Sequence, residues 1–116
     1  MNTKIFMITL LRELKISPKH LGDTYLQSCI MYVFENKKSL KSLSKMVYPI
    51  IAEEYDATEK SIEKAISNAI EKAYSKGGMK TLVFDGCPTN KEVISFVVSK
   101  MTEQSYKSTF LNVSNF

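Results

Sequence analysis

The clearest alternation of apolar and polar positions lies in the second half of the chain. Its apolar residues recur at steps of three and four, the spacing of one helix face, and they are Ile62, Ala65, Ile66, Ala69, Ile70, Ala73 and Tyr74. Thr58 has the side chain of a helix N-cap, and Lys76 followed by Gly77 is a typical helix end. The sequence therefore predicts an amphipathic helix over residues 58–76, with a polar face opposite the apolar one.

Weaker patterns of the same kind predict helices on both sides of this segment. They cover about residues 3–15, 20–36, 39–47, 49–55 and 89–105. Ser39 is the predicted N-cap of the third helix, and Pro49 fits the first turn of the fourth. Thr89 and Glu92 have the spacing of a capping box, which predicts the start of the last helix.

These elements predict an all-α, compact six-helix domain over residues 1–105. Residues 106–116 have no hydrophobic period and are predicted to be a flexible tail. The predicted core residues are Ile8, Leu11, Leu26, Ile30, Val47, Ile51, Ile62, Ile66, Ile70, Phe96 and Val97. On the last helix, Ile94 and Val98 widen the apolar stripe beyond the need of one small bundle. We therefore expect this helix and the tail to pair with a second copy of the chain.

Composition restricts the class of protein. With 44% hydrophobic and 24% charged residues, no signal peptide and no apolar stretch of membrane length, the chain is predicted to be soluble and cytoplasmic. One histidine and two distant cysteines, Cys29 and Cys87, provide no metal-ligand spacing and no catalytic grouping. We expect two reduced thiols, no enzyme activity, no metal or other cofactor, and no small-molecule substrate.

The basic residues are concentrated in the first half of the chain. The net charge of the whole chain is +4, whereas residues 1–50 contain eight basic and three acidic residues, a net charge of +5. A basic half favours a polyanionic partner such as nucleic acid. Arg12 is the only arginine, which counts against extensive base reading, because arginine is the commonest side chain to bind guanine.

Residues 49–76 have the outline of a helix-turn-helix: a short helix, a turn at Asp56 and Ala57, and a longer amphipathic helix. In that motif the second helix lies in the major groove of duplex DNA. The outline alone is weak, because any small helical bundle contains two helices joined by a short turn. The charged residues of the second helix could also form only a solvated face, since Lys60, Lys64 and Lys72 alternate with Glu63 and Glu71.

Two blocks of sequence go beyond this outline. Residues 42–55 read SLSKMVYPIIAEEY, and residues 88–92 read PTNKE. Together with the apolar positions of the segment 58–77, they resemble the C-terminal effector domain of stage-zero sporulation protein A, the sporulation response regulator of Gram-positive bacteria. The similarity covers about residues 5–104, nearly the whole chain.

The resemblance implies a six-helix domain that binds short operator repeats in double-stranded DNA, often as head-to-tail pairs and without a cofactor. The recognition-helix positions of the family fall here on Ser61, Lys64, Ser67 and Asn68, of which only Lys64 keeps a basic charge. Ser67 and Asn68 can still bond base edges or phosphates.

We predict a division of roles among the candidate DNA-binding residues. Lys60 is assigned mainly to phosphate, and Ser61, Lys64 and Asn68 to base edges. Lys41 and Lys45 are assigned to the flanking DNA backbone.

The sequence departs from the family in two places. The loop over residues 79–87 looks shorter than that of the family, and no phosphoacceptor receiver domain precedes Met1. Control by phosphorylation of an attached receiver is therefore not expected.

Two functions remain open at this point. The first is a sequence-specific transcription regulator similar to the sporulation regulator. The second is an interaction protein that binds no DNA but pairs with a related regulator and competes with it. The intact helix-turn-helix pattern favours the first, whereas the single arginine and the nearly neutral recognition segment favour the second.

Overall fold

The computed structural model describes residues 2–79 and 86–114, and for residues 108–114 only the backbone path. The helices are α1 (Thr3–Glu13), α2 (Leu21–Glu35), α3 (Leu43–Met46), α4 (Tyr48–Glu54), α5 (Glu59–Ser75) and α6 (Asn90–Ser114). A 3₁₀-helix, Lys37–Lys41, connects α2 to α3. The described residues contain no strand, so the all-α prediction is confirmed. Most of the predicted loop over residues 79–87 lies outside the described residues.

The helix-end signals that were predicted around α5 and α6 are confirmed. At the start of α5, the side chain of Thr58 accepts a hydrogen bond of 3.1 Å from the backbone N–H of Ser61. Its end has Gly77 at a φ of 82°, a left-handed conformation that glycine adopts without strain. The backbone N–H of Thr89 donates to the Glu92 carboxylate at 2.9 Å, and the N–H of Glu92 donates to Thr89 Oγ1 at 3.1 Å. This reciprocal pair is the predicted capping box.

The prediction for the third helix is wrong at its start. Ser39 is buried in the 3₁₀-helix, and its hydroxyl donates to the carbonyl of Asn36 at 2.6 Å instead of capping a helix. The N-cap of α3 is Ser42, whose side chain accepts from the N–H of Lys45 at 3.4 Å. Two serines three residues apart both have capping chemistry, and only the tertiary position of the turn decides between them.

The last helix continues beyond its predicted end at about residue 105, as far as Ser114. Residues 89–116 contain neither glycine nor proline, so no residue ends the helix early. Glu103 lies 3.8 Å from Lys100 and 3.2 Å from Lys107, and these pairs span one turn on each side. The Lys107 ammonium group lowers the pKa of the Glu103 carboxyl. The residues predicted as tail are therefore helical through position 114.

The core contains nine of the eleven predicted residues as fully buried side chains. Ile66 is 0% exposed whereas Lys64 is exposed, which confirms the helical register of α5. The two exceptions, Ile8 and Phe96, are half-buried and pack against the core. On α1 the core positions are filled by Met7 and Leu11, and Leu14, directly after the helix, is buried as well.

The wide apolar stripe of α6 is buried within the chain itself. This helix packs against α1, α2 and α5, so Ile94 and Val98 are buried together with Val93 and Val97. The width of this stripe therefore gives no reason to expect a second copy of the chain on it. Three neighbouring helices cover a wider arc of α6 than a single facing helix could cover.

A close approach of two backbones fixes the position of α5. Gly22 in the first turn of α2 is buried, and a Cβ atom at this position would lie 2.1 Å from the carbonyl oxygen of Ala65. The same atom would lie 2.8 Å from Cβ of Ala69. Because only glycine fits between these groups, α2 and α5 are in direct backbone contact at this crossing.

Candidate nucleic-acid interface

The solvent-exposed face of α5 carries three of the predicted contact residues in one row. Lys60, Lys64 and Asn68 are all exposed, and successive members lie one helical turn apart. The opposite face buries Ile62 and Ile66 in the core. This polar row is therefore held by a rigid helix whose rotation about its axis is fixed by packing.

Ser61 lies beside this row, at the first turn of α5, and its hydroxyl already has a partner. The hydroxyl donates a hydrogen bond of 2.8 Å to the carbonyl oxygen of Thr58. Its oxygen keeps lone pairs that can accept a further hydrogen bond. The Ser61 hydroxyl is therefore better suited to accept a hydrogen bond from a base or a water than to donate one.

Ser67 has a different environment from the other predicted contact residues. It is half-buried, and its hydroxyl donates to Oδ1 of Asn90 at 3.0 Å. The amide nitrogen of Asn90 in turn donates to the Tyr48 hydroxyl and to the Glu63 carbonyl oxygen, each at 3.1 Å. Burial raises the pKa of Tyr48 above its usual value. Sequence reasoning missed this network, and its only signal was the Asn of the Pro-Thr-Asn block.

The two lysines assigned to the flanking DNA backbone are both exposed but lie on different elements. Lys41 ends the 3₁₀-helix and lines a groove together with Ser67 and Asn90. Lys45 lies on α3, outside the residues that line this groove. The structure therefore brings Lys41 close to α5, whereas Lys45 stands apart from that groove.

The connection between α4 and α5 is held by the side chain of Tyr55. Its ring packs edge-on against Tyr25, with ring centres 5.2 Å apart and planes inclined at 68°. Its hydroxyl shares a hydrogen bond of 2.5 Å with the Ser28 hydroxyl. The next residue, Asp56, has a φ of 51°, a left-handed turn conformation that aspartate tolerates better than most residues. Since Tyr25 and Ser28 both lie on α2, Tyr55 attaches the connection between α4 and α5 to α2.

The single arginine of the chain is part of the internal structure. Arg12 makes a two-pronged ion pair with Asp23, at 2.8 and 3.0 Å, and also donates to the carbonyl of Ile16 at 2.8 Å. The Asp23 side chain is 4% exposed and accepts a further hydrogen bond of 2.9 Å from Gln27. Arg12 could contact DNA only by leaving a buried carboxylate without its partner. Lysine therefore supplies the positive charge near α5.

The charges on α5 itself are balanced. Its three lysines are accompanied by three glutamates, Glu59, Glu63 and Glu71, all of them exposed. A helix with this composition attracts phosphates only weakly through its net charge. The balanced charge of α5 thus favours DNA contacts by individual side chains instead of attraction by a broad basic surface.

Both cysteines are free thiols. Burial raises the pKa of Cys29 to about 12, so this thiol stays protonated and unreactive at neutral pH. Cys87 is exposed, and its pKa is also raised, by partial burial and then by Glu71. Neither thiol has the lowered pKa of a catalytic nucleophile.

The family comparison agrees with these features. The family described as "Sporulation initiation factor Spo0A C terminal" matches residues 7–101, well over half of the chain. The chain belongs to this family. The Spo0A C-terminal domain is a DNA-binding domain of a transcription regulator and not an enzyme, so the resemblance read from the sequence is confirmed. Within the described residues, no helix is both long enough and apolar enough to span a membrane.

Proposed function

We propose that this protein is a sequence-specific transcription regulator in which α4 and α5 form a helix-turn-helix. The observation that carries the proposal is the polar row of Lys60, Lys64 and Asn68 on a helix whose other face is locked in the core. A recognition helix needs this combination, since base contacts require side chains held at fixed positions. Membership of the Spo0A C-terminal family supports the same function.

In this proposal residues 60–68 of α5 read the major groove. Lys60 binds phosphate, Lys64 and Asn68 bind base edges, and Ser61 accepts a hydrogen bond from a base. Lys41 and Lys45 bind phosphates beside the site.

Two substitutions distinguish phosphate binding from base reading. Lys60→Ala should weaken binding to every duplex and lower the slope of log affinity against log salt by about one. Asn68→Ala should cost about 1–3 kcal/mol on the preferred duplex and little on random DNA. Fluorescence anisotropy with both duplexes at several salt concentrations measures both effects.

The matched control is Lys100→Ala, which removes one lysine charge from α6. Lys100 makes an exposed pair with Glu103, and its ammonium group lies 5.8 Å from the centre of the Phe96 ring. Exposed contacts of this kind contribute little, so this variant should stay folded and lose little affinity. Equal losses on preferred and random DNA for both Lys60→Ala and Asn68→Ala would contradict the assignment of base reading to Asn68.

The competitor function is the second candidate, and two observations favour it. Arg12 is committed to Asp23, and the charges on α5 cancel. A protein of this kind would bind a related regulator and show no affinity for duplex DNA at low salt.

We further propose that two copies pair on DNA, as the family resemblance implies. The buried stripe on α6 gives this pairing no support, so the contact would use other surfaces. Analytical ultracentrifugation should give a monomer mass for the free protein and two copies on a duplex that carries two adjacent preferred sites. One copy per duplex at saturation would contradict the pairing.

A further inference from the structure

We propose that Asn90 is a positioning residue for DNA recognition, and that Ser67 acts on DNA through Asn90 instead of touching a base. The inference rests on the proposed function and deepens it, because it names a side chain that determines specificity without lying on the DNA-facing row. It follows from the four-member network of Tyr48, Glu63, Ser67 and Asn90.

The chemistry of this network requires an amide side chain at position 90. Oδ1 of Asn90 accepts from Ser67, while the amide nitrogen of Asn90 donates to Tyr48 and to the carbonyl oxygen of Glu63. Only an amide both accepts and donates through its two ends in this way. Aspartate would place a second oxygen against the Glu63 carbonyl, and alanine would lose all three bonds.

The partners in this network lie on three different helices, so the network connects these helices, and we call it the brace. Glu63 and Ser67 lie one turn apart on α5. Two hydrogen bonds to the same amide therefore fix both the position of that helix along its axis and its rotation about the axis. Tyr48 is the first residue of α4, and Asn90 is the first residue of α6. The capping box at the N-terminus of α6 fixes the backbone beside Asn90 and therefore the position of the brace.

The brace lies next to the residues assigned to base contact. Lys64 follows Glu63 in the chain, and Asn68 follows Ser67. A small rotation of α5 would move both side chains relative to base edges, where hydrogen bonds weaken steeply with distance and angle. Contacts between lysine and phosphate depend less on geometry, because charge attraction falls slowly with distance. Loss of the brace should therefore reduce specific binding more than non-specific binding.

A double-mutant cycle tests this inference. The probes are a duplex that the wild-type protein selects from a random library and a random-sequence duplex of the same length. Asn90→Ala should lower affinity for the selected duplex by about tenfold, and for the random duplex by less than about twofold. Ser67→Ala should have a smaller effect of the same kind, and should add nothing in the Asn90→Ala background.

Thermal unfolding followed by circular dichroism checks that each variant is folded. Binding is then measured well below the transition temperature of that variant. If Asn90→Ala does not fold, the cycle is run with Tyr48→Phe and Ser67→Ala, which each remove one partner of the amide and keep the rest of the side-chain packing. Their effects on the affinity ratio between the two duplexes should again be non-additive.

Each of the following outcomes would overturn the inference. Equal losses on both duplexes would reduce the network to a purely structural role. A full additional loss from Ser67→Ala in the Asn90→Ala background would assign Ser67 to direct base contact. If the wild-type protein binds neither duplex, both the proposed function and the inference are rejected. If the wild-type protein is selective and Asn90→Ala leaves this selectivity unchanged, the inference alone is rejected.

Discussion

Replacing Arg12 with methionine should destabilise the protein by about 3 kcal/mol, because it leaves a buried carboxylate without its ion partner. Asp23 is 4% exposed, and after the substitution it would keep only the hydrogen bond from Gln27. The carbonyl of Ile16 would lose a donor as well. The expected loss is at the lower end of the range for buried pairs, since the Arg12 side chain is 32% exposed and water can enter from that side.

Urea unfolding of three proteins measures this effect: the wild type, Arg12→Met, and Arg12→Met combined with Asp23→Asn. The double variant removes the charge but keeps an amide that can bond to Gln27, so it should recover part of the lost stability. At temperatures where Arg12→Met is folded, its selectivity between preferred and random DNA should equal that of the wild type. A loss of selectivity without a loss of stability would show that Arg12 reads bases after all.

Replacing Gly22 with alanine should cost about 3 kcal/mol, near the upper end for overpacked positions. Alanine is intrinsically about 1 kcal/mol better than glycine inside a helix, so local propensity alone predicts the opposite sign. The loss arises because the added methyl group would have to displace the backbone of Ala65, which α2 contacts directly. The whole of α5 would have to move away from α2.

Two further variants test the cause of that loss. Thr24→Ala changes an exposed position two residues later on α2, and should alter stability by less than about 0.5 kcal/mol. Ala69→Gly removes the side-chain part of the clash but not the backbone part, so it should not rescue Gly22→Ala. Full rescue, or a stabilising effect of Gly22→Ala alone, would mean that the two helices are farther apart than described.

The sequence predicted the elements whose signals are local. The period of Ile62, Ile66 and Ile70 placed α5 in its correct register, and Thr89 with Glu92 placed the start of α6. These signals depend on residues three or four positions apart, so no knowledge of the tertiary structure was needed.

The features that were missed depend on partners distant in the chain. Ser67 looked like a free polar residue on a helix face because its partner, Asn90, is 23 positions away. The sequence also did not predict the pairing of Arg12 with Asp23, because that pairing depends on how α1 and α2 meet. The burial of Ile94 likewise depends on the three helices that surround α6. A single sequence holds no direct record of such contacts.

Above all, we propose that α5 binds duplex DNA and discriminates between sequences. The most direct measurement is the affinity of the wild-type protein for its selected duplex and for a random duplex, as a function of salt concentration. We expect binding to both at low salt, a steep loss of affinity with added salt, and a preference for the selected duplex that persists as salt rises. No binding to either duplex at low salt would reject DNA recognition by α5 and favour the competitor function.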